Sequence, residues 1–136
     1  MAATYNNLYL DARKRLREAG VEGAQLEARE LVCCAAGKSR EQFYRDMALY
    51  ASDPVEEKLA ELLERRLAGE PVAYLIGEWE FYGLGLDITP DVLIPRMDTE
   101  VLAERAILLA RAAGEGARVL DLCAGSGCVG LAVAAN

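Results

Sequence analysis

The sequence predicts an α+β chain of 136 residues: a helical bundle over residues 1–70, a β-hairpin linker over 71–95, and the start of a doubly wound α/β domain over 96–136. Three observations carry this reading. Apolar residues recur at helical spacing through residue 67, between clear start and stop signals. After Pro71 the pattern gives way to aromatic and branched residues set among glycines and acids. Finally, the short apolar run from Ala117 to Leu122 leads into a glycine-rich turn, the order of a buried parallel strand followed by a tight loop.

Tyr5, Leu8, Tyr9, Ala12, Leu16 and Ala19 mark the first helix, which Gly20 stops. Ala24, Ala28, Leu31, Val32 and Ala35 mark a second, closed by Gly37. Ser39 and Gln42 have capping-box spacing ahead of a short segment containing Phe43 and Tyr44. Asp53 reads as the capping carboxylate of the next helix, with Pro54 at its first position and Glu56 three residues on. Val55, Leu59, Leu62, Leu63 and Leu67 would line its inner face until Gly69 and Pro71 end it. These stripes read as core.

Trp79, Phe81, Leu84, Leu86 and Ile88 suggest two short strands turned around Gly83, with the hairpin over residues 79–89. Trp79 and Phe81 read as core. Pro95 makes Ile94 extended. Asp98 or Thr99 then caps a helix whose stripe is Val101, Leu102, Ala106, Leu109 and Ala113, stopped by Gly114. The run 117–122 is expected as a buried parallel strand, and Cys128 opens another helix. A complete doubly wound domain needs on the order of 100 further residues, so the sequence reads as the front part of a longer protein.

Composition narrows the function. A hydrophobic fraction of 53% with 27% charged residues fits a globular chain. No apolar run approaches the roughly 18 residues of a membrane span, and the N-terminus lacks the pattern of a secretory signal. A cytoplasmic, non-membrane protein is expected. Residues 1–70 hold 11 Lys/Arg against 13 Asp/Glu, and residues 71–136 hold 4 against 9. An acidic chain with no basic stripe is poorly suited to grip nucleic acid through phosphates. The sequence has four cysteines and no histidine. Cys33 and Cys34 are adjacent in a helix, and Cys123 and Cys128 flank the glycine turn; neither pair has zinc-site spacing. They read as small buried hydrophobes kept reduced, and no metal site is expected.

The chemistry lies at Asp121-Leu-Cys123-Ala124-Gly125-Ser126-Gly127, between a strand and a helix. Glycines there let the backbone turn sharply and approach a ligand, while N–H groups at the helix start face it. Gly125, Gly127 and Gly130 also match the spacing of the dinucleotide fingerprint, so a nicotinamide or flavin oxidoreductase is one reading. In that fingerprint the strand runs almost directly into the first glycine, whereas here Asp121 stands three residues before it. An acid at that point suits a cationic sulfonium better than a pyrophosphate, which favours S-adenosyl-L-methionine. A plain structural turn, with the bundle kept as an interaction module, is a third reading.

The stretch from Gly69-Glu-Pro71-Val-Ala-Tyr74-Leu-Ile-Gly77 through Leu93-Ile-Pro95-Arg96 and Asp98-Thr99-Glu100 to the glycine turn resembles the HemK/PrmC family of release-factor glutamine N5-methyltransferases. The likeness extends through the helical N-terminus. Asp98-Thr99-Glu100 argues for the release-factor branch over a sister family that methylates a ribosomal protein.

The resemblance implies a bundle that docks peptide chain release factors, a hairpin linker, and a Rossmann-like methyltransferase domain using S-adenosyl-L-methionine, monomeric at full length. It implies that Cys123, Ala124, Gly125, Ser126 and Gly127 hold the methionine moiety of the cofactor. Pro95 and Arg96 either brace the turn into the next helix or reach the site. The family usually has glycine at the position of Cys123 and often proline at those of Gly85 and Met97. Its Asn-Pro-Pro-Tyr motif, which holds the glutamine amide, and its ribose-binding acid are expected beyond Asn136. No catalytic residue is therefore assigned within residues 1–136, and methyl transfer by these residues alone is not expected.

Overall fold

The computed structural model describes residues 2–136, which divide into two compact units, residues 2–76 and 77–136. The first contains five helices: α1 (Tyr5–Glu18), α2 (Ala24–Ala36), α3 (Arg40–Asp46), α4 (Asp53–Leu67) and α5 (Val72–Ile76). α2 touches each of the other four. Its sequence explains that position. Ala24, Ala28, Leu31, Val32, Cys33 and Ala35 are all buried, and the small residues among them let neighbouring backbones approach closely. Leu16 of α1, Phe43 of α3 and Leu59, Leu62 and Leu63 of α4 complete the core. Burying a side chain such as Phe43 contributes about 1.5–3 kcal/mol.

The helix ends follow the local chemistry. Thr4 caps α1 through Asn7 N–H, and the Ser39–Gln42 capping box is present in both directions. At α4 the cap differs from expectation: Ser52 is the extended capping residue, Asp53 is already helical, and neither caps with its side chain. Glu56 instead accepts the Ala3 N–H at 3.0 Å. The N-terminal segment therefore competes for that carboxylate, and Ala3 and Tyr5 also exchange main-chain bonds with Ala51 and Leu49. Glu27 of α2 and Arg66 of α4 form a mostly buried ion pair at 2.6 Å, tying these helices by charge as well as packing.

α5 lies in the stretch 71–95 assigned above to the hairpin linker. Pro71 starts it by leaving its carbonyl to the N–H groups of Tyr74 and Leu75, and Val72 and Ala73 are buried. Five residues with two core positions give too short a stripe to be read as a helix from periodicity.

In the second unit, β1 (Glu78–Phe81) and β2 (Leu84–Asp87) form an antiparallel hairpin. Tyr82 and Gly83 make its two-residue turn with φ of 49° and 75°, the left-handed pair that suits right-twisted strands. One face carries Trp79, Phe81, Leu84 and Leu86, with Phe81 buried and Trp79 half-buried; the other carries Glu78, Glu80, Gly85 and Asp87, all exposed. Two helices follow, α6 (Thr99–Ala113) and α7 (Cys128–Ala135), packed against each other. The Tyr82 N–H donates to Glu100 at 2.8 Å, fixing the hairpin tip to the first turn of α6.

Two expectations for this unit are corrected. α6 buries Ala103 and Ile107, while Val101, Leu102 and Leu109 of the expected stripe are 70%, 59% and 58% exposed. Apolar residues surround most of this helix, so their spacing does not select a face; tertiary packing does. Residues 117–122 form no strand, since the two strands among the described residues pair only with each other. A strand needs a neighbour for its N–H and C=O groups, and no described segment offers one. Among the described residues no helix is long and apolar enough to cross a membrane.

Candidate functional site

The candidate loop, Cys123 to Gly127, lies between the irregular segment 117–122 and α7 and is largely solvent-facing. Cys123 has φ +56°, in the left-handed region that favours glycine, and Gly125 and Gly127 also have positive φ. The Gly127 N–H donates to the Ala124 carbonyl at 2.8 Å, closing a tight turn. The Gly127 carbonyl accepts from Leu131 and so begins α7. The structure thus brings the five candidate residues together as one turn at a helix start.

Asp121 anchors this turn. Its carboxylate accepts the Gly130 N–H at 3.0 Å, satisfying one of the orphan donors in the first turn of α7. A side chain at position 130 would place its Cβ 3.0 Å from the same Asp121 oxygen. Gly130 is therefore accounted for by close packing against Asp121, which removes the need for a dinucleotide to explain the third glycine of the fingerprint. The N–H groups of Cys128 and Val129 meet no hydrogen-bond partner among the described residues. They are donors available to an anionic group at the helix N-terminus.

Pro95 is buried and Arg96 exposed, and the Arg96 carbonyl accepts the Thr99 N–H at 3.1 Å at the entry to α6. This bond braces the turn into α6 through the Arg96 main chain. The four cysteines are free, but not all are buried as expected: Cys33 and Cys128 are buried and Cys34 half-buried, while Cys123 is exposed because it lies in the solvent-facing loop. Burial pushes the Cys33 thiol up, away from reactivity. Among the described residues no group of three or more Cys, Asp or Glu is arranged to hold a metal ion. Asp46 went unnoticed in the sequence. Its carboxyl, hydrogen-bonded by Arg45 and by Lys38 at 2.7 Å, is held down to about 2. Nothing in the linear pattern distinguishes this acid, because Lys38 reaches it only through the turn between α2 and α3.

The family model for the PrmC N-terminal domain matches residues 7–77, just over half of the chain. The chain belongs to the PrmC N-terminal domain family. The match begins within α1 and ends just past α5, so the PrmC N-terminal domain covers the helical unit almost completely. Curated relatives extend the likeness further. The chain is 38% identical over 136 residues to the release factor glutamine methyltransferase of Vibrio cholerae, covering all of this chain and 47% of that protein. It is 42% identical over 119 residues to that of Haemophilus influenzae, covering 85% of this chain and 41% of the relative. The corresponding figures for Bordetella pertussis are 47% over 116 residues, 81% and 40%. The chain thus spans less than half the length of these relatives.

Proposed function

We propose that the whole protein transfers a methyl group from S-adenosyl-L-methionine to the side-chain amide nitrogen of a glutamine in a peptide chain release factor, in the cytoplasm. The observation that carries this reading is the likeness to release factor glutamine methyltransferases across the entire chain, glycine loop included. In this reading residues 1–70 contribute to docking the release factor, residues 71–95 link, and residues 96–136 begin the cofactor-binding domain.

The residues present fit the cofactor. Cys123, Ala124, Gly125, Ser126 and Gly127 would hold its methionine moiety, whose carboxylate suits the unpartnered N–H groups of Cys128 and Val129. The cofactor supplies an electrophilic methyl group on a sulfonium. An amide nitrogen is a weak nucleophile because its lone pair is delocalised into the carbonyl, so catalysis of this transfer rests on positioning and electrostatics. Within residues 1–136 the contribution is binding: the Asp121–Gly130 bond holds the loop against α7, and the Tyr82–Glu100 bond holds the hairpin against α6.

The test is direct. A release factor incubated with labelled S-adenosyl-L-methionine and the full-length protein should acquire one methyl group on a glutamine, located by mass spectrometry. Label on another residue, or none, refutes the reading.

A further inference from the structure

Phe43, buried at the middle of α3, organises a surface of aromatic rings and arginines on the helical unit. The Tyr9 ring of α1 meets Phe43 edge-on at 5.8 Å, and the Arg13 guanidinium lies over Tyr9 at 5.5 Å. The Tyr44 ring lies 5.4 Å from Phe43, and its hydroxyl accepts from Arg29 at 3.2 Å. Tyr44 is therefore 56% exposed yet held at both ends, with its rotamer freedom already spent. Arg40, one helical turn before Tyr44, pairs with Glu30 at 2.8 Å, and Arg29 pairs with the same carboxylate at 3.2 Å. Glu30 thus answers two arginines, while Arg13 meets no carboxylate among the described residues. All of these residues lie within 7–77, the stretch matched to the PrmC N-terminal domain. The surface also runs against the charge of the chain. Residues 1–50 hold eight Lys/Arg against seven Asp/Glu, whereas residues 51–136 hold seven against fifteen.

We propose that Arg13, Arg40 and Tyr44 form the docking surface for an acidic segment of the release factor. The proposal rests on the methyl-transfer reading above and assigns the docking role to particular side chains. Guanidinium forks match carboxylates bidentately, and Arg and Tyr dominate the energetics of protein interfaces. Side chains fixed before the partner arrives lose little freedom on binding, which is the condition that Phe43 and Arg29 impose on Tyr44. Glu30 stands among the arginines and Glu41 follows Arg40 on α3, so the positive excess is small. That suits a segment with a few carboxylates better than a continuous phosphate backbone.

Steady-state methylation of a release factor by the full-length protein tests this, with the release factor and S-adenosyl-L-methionine varied in turn. Arg40→Glu should raise KM for the release factor about tenfold and Tyr44→Ala about fivefold, with kcat and the KM for the cofactor unchanged. Both side chains are exposed, so circular dichroism should show the variants folded. Lys58→Glu, the same charge change at an exposed position of α4, should leave all three constants unchanged. Poly-L-glutamate should compete with the release factor for the native protein and far less for Arg40→Glu. If the native protein does not methylate the release factor, the methyl-transfer reading fails and the proposal falls with it. Methylation with an unchanged KM in Arg40→Glu and Tyr44→Ala refutes the docking surface alone. An equal rise in Lys58→Glu does the same, as does competition by a single-stranded RNA in place of poly-L-glutamate.

Discussion

Asp121 and Gly130 are joined by a hydrogen bond of 3.0 Å from the Gly130 N–H to the Asp121 carboxylate. An acid nine positions upstream thus takes the part that a capping residue ordinarily plays in the first turn of α7. Gly127, which occupies the cap position, has no side chain with which to do so. One bond therefore links the loop entrance, the loop exit and the helix.

Asp121→Ala should weaken this unit by about 0.5–2 kcal/mol, the usual cost of losing a helix cap. Asp121→Asn keeps an acceptor and should recover part of it. Gly130→Ala sets a methyl group 3.0 Å from the Asp121 oxygen and should loosen the same contact. Hydrogen exchange across residues 128–135 reads all three; unchanged exchange in Asp121→Ala would deny the carboxylate this role.

Cys123 occupies a left-handed conformation, φ +56°, that costs a residue with a Cβ roughly 1–2 kcal/mol relative to glycine. Glycine loses more freedom on folding, which offsets part of this. Cys123→Gly should therefore stabilise the loop by about 0.5–1 kcal/mol, and Cys123→Val should destabilise it. Urea midpoints of the three proteins provide the comparison. A destabilised glycine variant would show that the thiol makes a compensating contact.

Glu78 and Asp87 stand directly opposite each other on the exposed face of the hairpin. Like charges at such a position are unfavourable, so Asp87→Lys should stabilise the hairpin by about 0.2–1 kcal/mol. The gain should shrink in high salt, as screened surface charge requires. Thermal melts at low and high ionic strength check both the sign and the salt dependence.

Asp46 makes the helical unit sensitive to acid. Its carboxyl is held at about 2, first by Arg45 and then by Lys38, whereas an unfolded chain has it near 3.9. A folded-state value below the unfolded one gives stability that is fully present above the unfolded value and lost as pH falls through the folded one. The stability difference between the native protein and Asp46→Asn should therefore be constant near neutrality. It should narrow between about pH 4 and pH 2. Denaturation of both proteins at several pH values measures it, and a gap that widens in that interval would contradict the assignment.

Much of this was legible in the sequence because it is local. The capping box at Ser39 and Gln42, the core stripe of α2 and the turn at Gly83 each depend on residues a few positions apart, and all are present in the structure. The glycine loop was legible for the same reason, since its turn closes within Ala124 to Gly127. What tertiary structure alone decided is non-local. α6 is apolar on several sides, and only tertiary packing selects Ala103 and Ile107 for burial. Glu56 could serve its own helix or the N-terminal segment, and the folded chain gives it to Ala3. The run from Ala117 to Leu122 has a strand's composition, but strand is a property of a pair: its hydrogen bonds close only against another strand, and its own residues cannot supply one.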